Sequence, residues 1–334
     1  MIKRTYNRLP ISIKSKISRL NYWLSNKPKV NPWTNLEKKF PSNTKGGLFI
    51  SADFELGWAV RFSKLNKDPE EFGMRERENI PIILGLLEKY NIPITWSTVG
   101  HLFLESCNKG DHDWMQRIPH FDDHWKFTKG DWFDCDPYSN YKLAPAWYAP
   151  DLIKEIRGST TKQELAYHTF SHIDCSDKHC PVDVIEDEFK AGKIIEEQWG
   201  IKFQSLTFPG GKAGNFATLK KYGIEICRHR YKDFELSYPF MNEYGIIVTP
   251  TGPAISIKYK EWPIHYTFSQ YKKAIDKAIK TGTFLHLWFH PSQNEEDFTL
   301  LLPLILEYAS KMREKGLLWV TTMGDFVDFY NTRT

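Results

Sequence analysis

Short apolar runs alternate with amphipathic stretches along this chain, and that alternation limits the fold more than any other feature. Gly47-Leu-Phe-Ile-Ser51 reads as a strand, residues 78–90 carry Ile82, Ile83, Leu86 and Leu87 at helical spacing, and Asn91-Ile-Pro-Ile-Thr-Trp leads into a second strand. The rhythm breaks over 105–150, a long insertion rich in His, Asp, Trp and Pro. It resumes with a helix at 151–157, a strand at 164–167, a helix at 184–198 and a strand at 205–208. A short helix at 218–222, extended segments at 245–249 and 254–257, a helix at 270–280, a strand at 283–289, a helix at 300–315 and a strand at 317–321 complete the pattern. Such alternation predicts an α/β fold, a parallel (β/α) barrel whose chemistry sits at the C-terminal ends of its strands. No internal repeat argues for a solenoid.

The 334 residues suffice for one large domain or two small ones. The division expected is a basic extension and linker over 1–44 and a barrel domain over 45–330, with 105–150 inserted in it. The extension is basic because Lys3, Arg4, Arg8, Lys14, Lys16, Arg19, Lys27 and Lys29 all precede the first acidic residue, Glu37. Interleaved apolar residues make it weakly amphipathic. It is either a segment packed on the domain or, through residues 1–29, a peripheral contact with an anionic membrane. No apolar run approaches the ~18 residues that span a bilayer, and a secretory signal is not evident, so a cytoplasmic location is expected. Five cysteines without framework spacing agree with a reducing compartment. Outside the extension no basic stripe points to nucleic acid, while 15% aromatic residues permit a sugar-binding surface.

Four segments carry the chemistry. In Ser51-Ala-Asp53-Phe-Glu55, ending the first strand, Asp53 and Glu55 share a face, and two close buried carboxylates call for a cation or a shared proton. His168-Thr-Phe-Ser-His172 follows a strand directly, so its imidazoles can converge on one ion if the segment coils. Thr207-Phe-Pro209-Gly210-Gly211-Lys212 is a tight turn after a strand, able to frame a groove or present backbone amides to an oxyanion. In Phe284-Leu-His286-Leu-Trp288-Phe-His290, the residues His286, Trp288 and His290 share one face, with His290 at the strand's C-terminal end. A zinc knot of His172, Cys175, His179 and Cys180 has irregular spacing and is discounted.

In this order the four segments resemble the motifs of the polysaccharide deacetylase family (NodB homology), over about residues 47 to 326. The resemblance implies a distorted (β/α) barrel and a hydrolase of N-acyl sugars that uses one divalent ion, zinc first. It makes His168 and His172 metal ligands with Glu55 as the third, Asp53 the general base, and His290 the general acid with His286 as its alternate; the opposite assignment of Asp53 and Glu55 stays open. Pro209, Gly210, Gly211, Lys212, Trp288 and, from the insertion, Trp132 are candidates for substrate binding, and Asp131, Asp134 and Asp136 could border the same groove. The family's Arg in the third motif is replaced by Thr207, leaving Lys212 or Arg228 to steady the catalytic carboxylate, or else a decayed enzyme.

The leading expectation is an N-deacetylase acting on an N-acylated sugar, a nucleotide sugar or a lipid-linked glycan in assembly of a surface polysaccharide such as an O-antigen or capsule. Hydrolysis of a small cyclic or linear non-sugar amide is the second reading. A non-catalytic carbohydrate-binding protein on a degenerate barrel is the third.

Overall fold

The structure, a computed structural model, describes residues 10–25, 28–62, 67–229 and 235–332. Its elements are α1 (Ile11–Ser25), β1 (Gly46–Phe54), α2 (Pro69–Tyr90), β2 (Thr95–Thr98), α3 (Pro150–Gly158), β3 (Glu164–Tyr167), α4 (Val182–Trp199), β4 (Ser205–Thr207), α5 (Phe216–Lys221) and β5 (Ile226–His229). These continue with β6 (Leu236–Ser237), β7 (Phe240–Met241), β8 (Ile247–Pro250), α6 (Ile264–Thr281), β9 (Phe284–Phe289), α7 (Leu302–Glu314), β10 (Leu318–Val320) and α8 (Met323–Asn331).

Seven strands run parallel in the order β9-β1-β2-β3-β4-β5-β8, with β6 and β7 antiparallel at the two ends. One edge of β1 serves two partners in series: β10 pairs with Gly46–Leu48 and β2 with Ser51–Phe54. The sheet curls until its ends meet. Beyond β8, Gly252 N donates to His286 O at 3.0 Å and Ile255 N to Trp288 O at 2.7 Å, so the chain closes against β9. A Cβ on Gly252 would stand 2.5 Å from His286 O, which is why this closure needs glycine. The result is a distorted (β/α) barrel.

The period of two in β1 places the site. Leu48, Ile50, Ala52 and Phe54 face outward into the main core against the helices. On the inward face Phe49 stacks on Phe284 (4.6 Å) and joins Ile226, Ile247 and Phe326 of α8 in an apolar plug. Above the plug lies a hydroxyl and imidazole layer: His286 bonds Ser51 (2.9 Å) and Thr249 (3.2 Å), and Ser97 bonds Thr207 (2.7 Å). Asp53 and Glu55 come next, at the C-terminal mouth.

Helix α2 starts nine residues before the position its apolar spacing predicts, with Asp68 accepting from Glu70 N as N-cap and Pro69 in the first turn. Its early turns bury Gly73, Glu76 and Asn79, which carry no apolar stripe. β5 and α8 were not legible from periodicity; the inward side of β5 carries Arg228, which interrupts a strand pattern. Residues 104–149 form turns with one isolated bridge, Ser106 to Asn140. Of the extension, residues 1–9 and 26–27 lie outside the described residues. α1 rests on the α6 region, where Trp262 Nε1 donates to Ser18 Oγ (2.5 Å) and Arg19 lies 5.1 Å from the Tyr266 ring. Among the described residues no helix is long and apolar enough to cross a membrane.

Glu76 anchors the end of β1 by accepting from Glu55 N (3.2 Å) and Leu56 N (2.6 Å). Leu56 itself has φ +48°, so the chain turns sharply just where the site begins. Replacing Glu76 by Ala leaves two buried amides unpaired, and urea unfolding of Glu76→Ala is expected to show a loss of about 2–4 kcal/mol. A loss below about 0.5 kcal/mol would mean the amides are otherwise satisfied.

Candidate active site

Three side chains converge on one point at the barrel mouth. His168 Nε2 and His172 Nε2 lie 2.8 and 3.1 Å from Glu55 Oε1, and all three residues are buried. The imidazoles meet because the segment after β3 coils through left-handed conformations at Thr169 (φ +59°) and His172 (φ +56°). That coil is pinned from every side. Thr169 Oγ1 accepts from Ile173 N, Glu188 of α4 accepts from Ser171 N and Oγ, and the Arg61 guanidinium donates to Ser171 O.

The donor set fits a cation. His168 Nδ1 lies 2.7 Å from Thr207 O, a carbonyl that can only accept, so Nδ1 carries the ring proton. In a neutral imidazole the opposite nitrogen, Nε2, then aims a lone pair at a carboxylate oxygen. Two acceptors held 2.8 Å apart require a positive charge between them, either a second proton or a metal ion. Glu55, His168 and His172 form one of three groups among the described residues whose ligand atoms lie within 4.8 Å of one another.

Asp53 sits beside this trio. Arg228 Nη2 donates to Asp53 Oδ2 at 2.6 Å while its Nη1 holds Ser51 Oγ at 2.6 Å, and Asp53 Oδ1 is buried with no hydrogen-bond partner among the described residues. His290 reaches in from the end of β9, with Nε2 3.7 Å from Glu55 Oε2 and 3.9 Å from Asp53 Oδ2. Glu55, His172 and His290 open onto a cleft of about 580 Å³ bordered by Trp125, Phe72, Gly210, Lys67 and Arg75.

No family model matches the chain, and no curated protein matches it by sequence. Solved structures do match. A protein of Mycobacterium smegmatis assigned as a polysaccharide deacetylase aligns at TM-score 0.62 and 12% identity, over 90% of this chain and 95% of that one. A Pseudomonas aeruginosa protein with the same assignment aligns at TM-score 0.57 and 13% identity, over 84% and 89%. The fold is that of the polysaccharide deacetylases. The allantoinase PuuE shares it, at TM-score 0.57 and 14% identity over 93% of this chain and 95% of that one.

Within the polysaccharide deacetylase fold, the residue missing from the third motif has a neighbour in register. Thr207 of β4 pairs with Arg228 of β5, so an arginine one strand away projects to Asp53. Lys212 is not the residue that reaches Asp53. The Pro209-Gly210-Gly211-Lys212 turn frames the cleft through Gly210 (φ +58°), where an added Cβ would lie 2.9 Å from Trp125; the Gly211 and Lys212 amides bond within the turn, to Phe208 O and Pro209 O.

Other residues lie elsewhere than the motif reading placed them. His286 sits a layer below the cleft, bound to Ser51 and Thr249. Trp288 is a wall residue: its indole donates to Gly252 O, and its ring lies between Arg228 (5.0 Å) and His290 (5.3 Å). Trp132 does not border the groove; it is buried, donates to Ser171 Oγ and stacks under Arg61. Asp136 is buried too, in a separate cluster, whereas Asp131 and Asp134 are partly or largely exposed. The discounted knot of His172, Cys175, His179 and Cys180 is not among the converging groups. Trp125 and Lys126 went unread because nothing in local spacing marks a loop residue that folds back over a distant strand.

Electrostatics follow from burial. Desolvation alone would raise Glu55, but His172, His290 and His168 outweigh it and hold the carboxyl well below its usual range. Burial and the neighbouring Lys126, whose Nζ lies 3.0 Å from His172 Nδ1, push His172 down to about 3 against the pull of Glu55. Burial and Arg61 in turn hold Lys126 well below the ordinary lysine value. At neutral pH Glu55 is therefore an anion and His172 a neutral imidazole. Because the folded pKa of His172 is depressed, its contribution to stability is present above its unfolded value of about 6.5 and is lost as pH falls towards 3. Thermal or urea unfolding of chelator-treated protein is expected to weaken over that window, and His172→Gln to flatten the slope by up to one proton, about 1.4 kcal/mol per pH unit. Identical slopes would show that His172 does not resist protonation.

Proposed function

We propose that this chain is a metal-dependent hydrolase that removes an N-acyl group, acetyl first, from a sugar. One observation carries the reading: a Glu-His-His trio, an arginine-held aspartate and a rim histidine meet at the mouth of a single cleft. A divalent ion, zinc first, held by Glu55 Oε1, His168 Nε2 and His172 Nε2, would keep positions open and supply Lewis-acid polarisation and a water of lowered pKa.

The remaining chemistry belongs to the protein's own groups. Arg228 orients Asp53 through Oδ2, leaving Oδ1 to take the proton of the attacking water. His290, partly exposed just past the end of β9, returns a proton to the departing nitrogen, which is a poor leaving group as an anion. His286, a layer deeper, supports Ser51 and through it the arginine. Trp125 and Phe72 offer faces on which a sugar ring can stack, and Lys67 and Arg75 suit the diphosphate of a nucleotide sugar or lipid-linked glycan. Five free cysteines and the basic extension fit a cytoplasmic protein in surface-polysaccharide assembly, with the extension available to an anionic membrane face.

Hydrolysis of a small cyclic or linear amide is the second reading, because an allantoinase shares the fold and fold alone does not choose the substrate. The test is acetate release by zinc-loaded protein from N-acetylated nucleotide sugars and lipid-linked N-acetyl glycans, beside a panel of small amides. Acetate release is expected from the sugars, with kcat reduced about 10²- to 10⁴-fold in Asp53→Asn and in His290→Ala. Turnover of the small amides alone would favour the second reading. Sugar binding without turnover, undiminished in Asp53→Asn, would leave a carbohydrate-binding protein.

A further inference from the structure

A second cluster of ligating side chains lies apart from the cleft. His101 follows β2 in the turn Gly100–Phe103, Cys107 and His112 come from the start of the irregular segment, and Asp136 comes from near its end. All four are buried. His101 Nε2 is 3.2 Å from His112 Nε2, 3.6 Å from Cys107 Sγ and 3.0 Å from Asp136 Oδ2. Asp136 Oδ2 lies 3.2 Å from Cys107 Sγ and 3.5 Å from His112 Nε2.

These separations, 3.0 to 3.6 Å, are within a few tenths of an ångström of a coordination tetrahedron. Zinc bonds of about 2.0 Å to nitrogen and oxygen and 2.3 Å to sulfur set ligand atoms roughly 3.3–3.5 Å apart. The surroundings orient the ligands. Asp136 Oδ1 is occupied by Tyr148 OH (2.9 Å) and Tyr138 N (3.0 Å), which turns Oδ2 to the centre, and Tyr148 OH also lies 3.1 Å from Cys107 Sγ. The His101 ring packs against Trp58 at 4.3 Å and Tyr148 at 5.0 Å. One thiolate, one carboxylate and two neutral imidazoles balance a dication, so the complex is neutral where burial penalises charge.

We infer that His101, Cys107, His112 and Asp136 form a closed structural site for zinc that staples the irregular 104–149 segment to the barrel. Binding exchanges the Cys107 thiol proton for the metal and releases that proton to solvent. Four protein ligands leave no open position, which separates this site from the Glu55 trio. A stretch this long without helix or strand is uncommon in a compact domain, and a metal clip would add to the apolar anchoring it has through Phe127, Trp132 and Phe133. The stapled segment carries Trp125 to the cleft and Lys126 to His172.

Cobalt distinguishes the two sites, because only the one containing Cys107 can give a thiolate-to-cobalt charge-transfer band in the near ultraviolet. The full chain, stripped with chelator and titrated with Co²⁺, is expected to show that band, and Cys107→Ser to lose it together with one equivalent of metal. His168→Ala/His172→Ala is expected to lose a different equivalent and keep the band. Should Cys107→Ser prove insoluble, the double His variant decides alone: the band retained supports the staple. A wild-type chain without the band, or a band that survives Cys107→Ser, overturns the proposal and leaves a hydrogen-bonded network around Asp136. Either result is independent of whether the cleft hydrolyses amides.

Discussion

Two buried carboxylates on one face of one strand dominate this structure. Asp53 and Glu55 point the same way from the end of β1, and their oxygens, with His290 Nε2, lie within 4.8 Å of one another. At an effective dielectric constant of 20, two unit charges at such a distance repel by roughly 3 kcal/mol before desolvation is counted. The neighbouring elements answer that cost. β5 sends Arg228 to Asp53, β3 and its coil bring two imidazoles to Glu55, and β9 ends in His290. Glu76 adds a third carboxyl beneath them, and burial together with Glu55 pushes it well above its usual range; that favours the neutral acid, which adds no further negative charge.

The coil after β3 shows what the pairing demands of the backbone. A His pair four residues apart would face one side of an α-helix, yet here the chain turns left-handed at the intervening Thr169 and again at His172 itself. Such conformations cost non-glycine residues about 1–2 kcal/mol each. They persist because the coil's polar groups are claimed, Ser171 from outside by Glu188 and Arg61 and Ile173 N from within by Thr169. The strain is held where the two rings must meet Glu55.

Much of the barrel was legible because strand periodicity and chemistry coincide. Along Gly47-Leu-Phe-Ile-Ser-Ala-Asp-Phe-Glu the inward residues pass from apolar to hydroxyl to acid, which marks both the strand and its functional end. The alternate residues Phe284, His286, Trp288 and His290, from apolar to imidazole along one face, mark β9, and the full His168–His172 motif marks the third corner. Legibility stops where a contact joins residues with no shared spacing. Arg228 answers for Thr207 only through strand register, and the first turns of α2 bury Glu76 and Asn79 in place of apolar residues. Trp132 looked like a rim residue because aromatic loops often are, but Arg61 and Ser171 draw it inward. The His101, Cys107, His112 and Asp136 cluster spans 36 positions at spacings that match no short motif.

The two ligand clusters are mechanically joined by a few residues. Trp58 follows Glu55 by three positions, packs on His101, and donates its indole N–H to Trp147 O at the far end of the irregular segment. Arg61, one turn further, bonds Trp132 O and Ser171 O together, tying that segment to the coil that carries His172. Trp58 and Arg61 are thus anchors for the irregular segment near both clusters, while the histidine trio has further anchors of its own in Thr207 O and Glu188. In the proposed hydrolase the wall formed by Trp125 would hold the substrate, and the trio with Asp53 would break its bond. One barrel mouth can thus keep its chemistry on rigid strand ends while the inserted segment sets what enters.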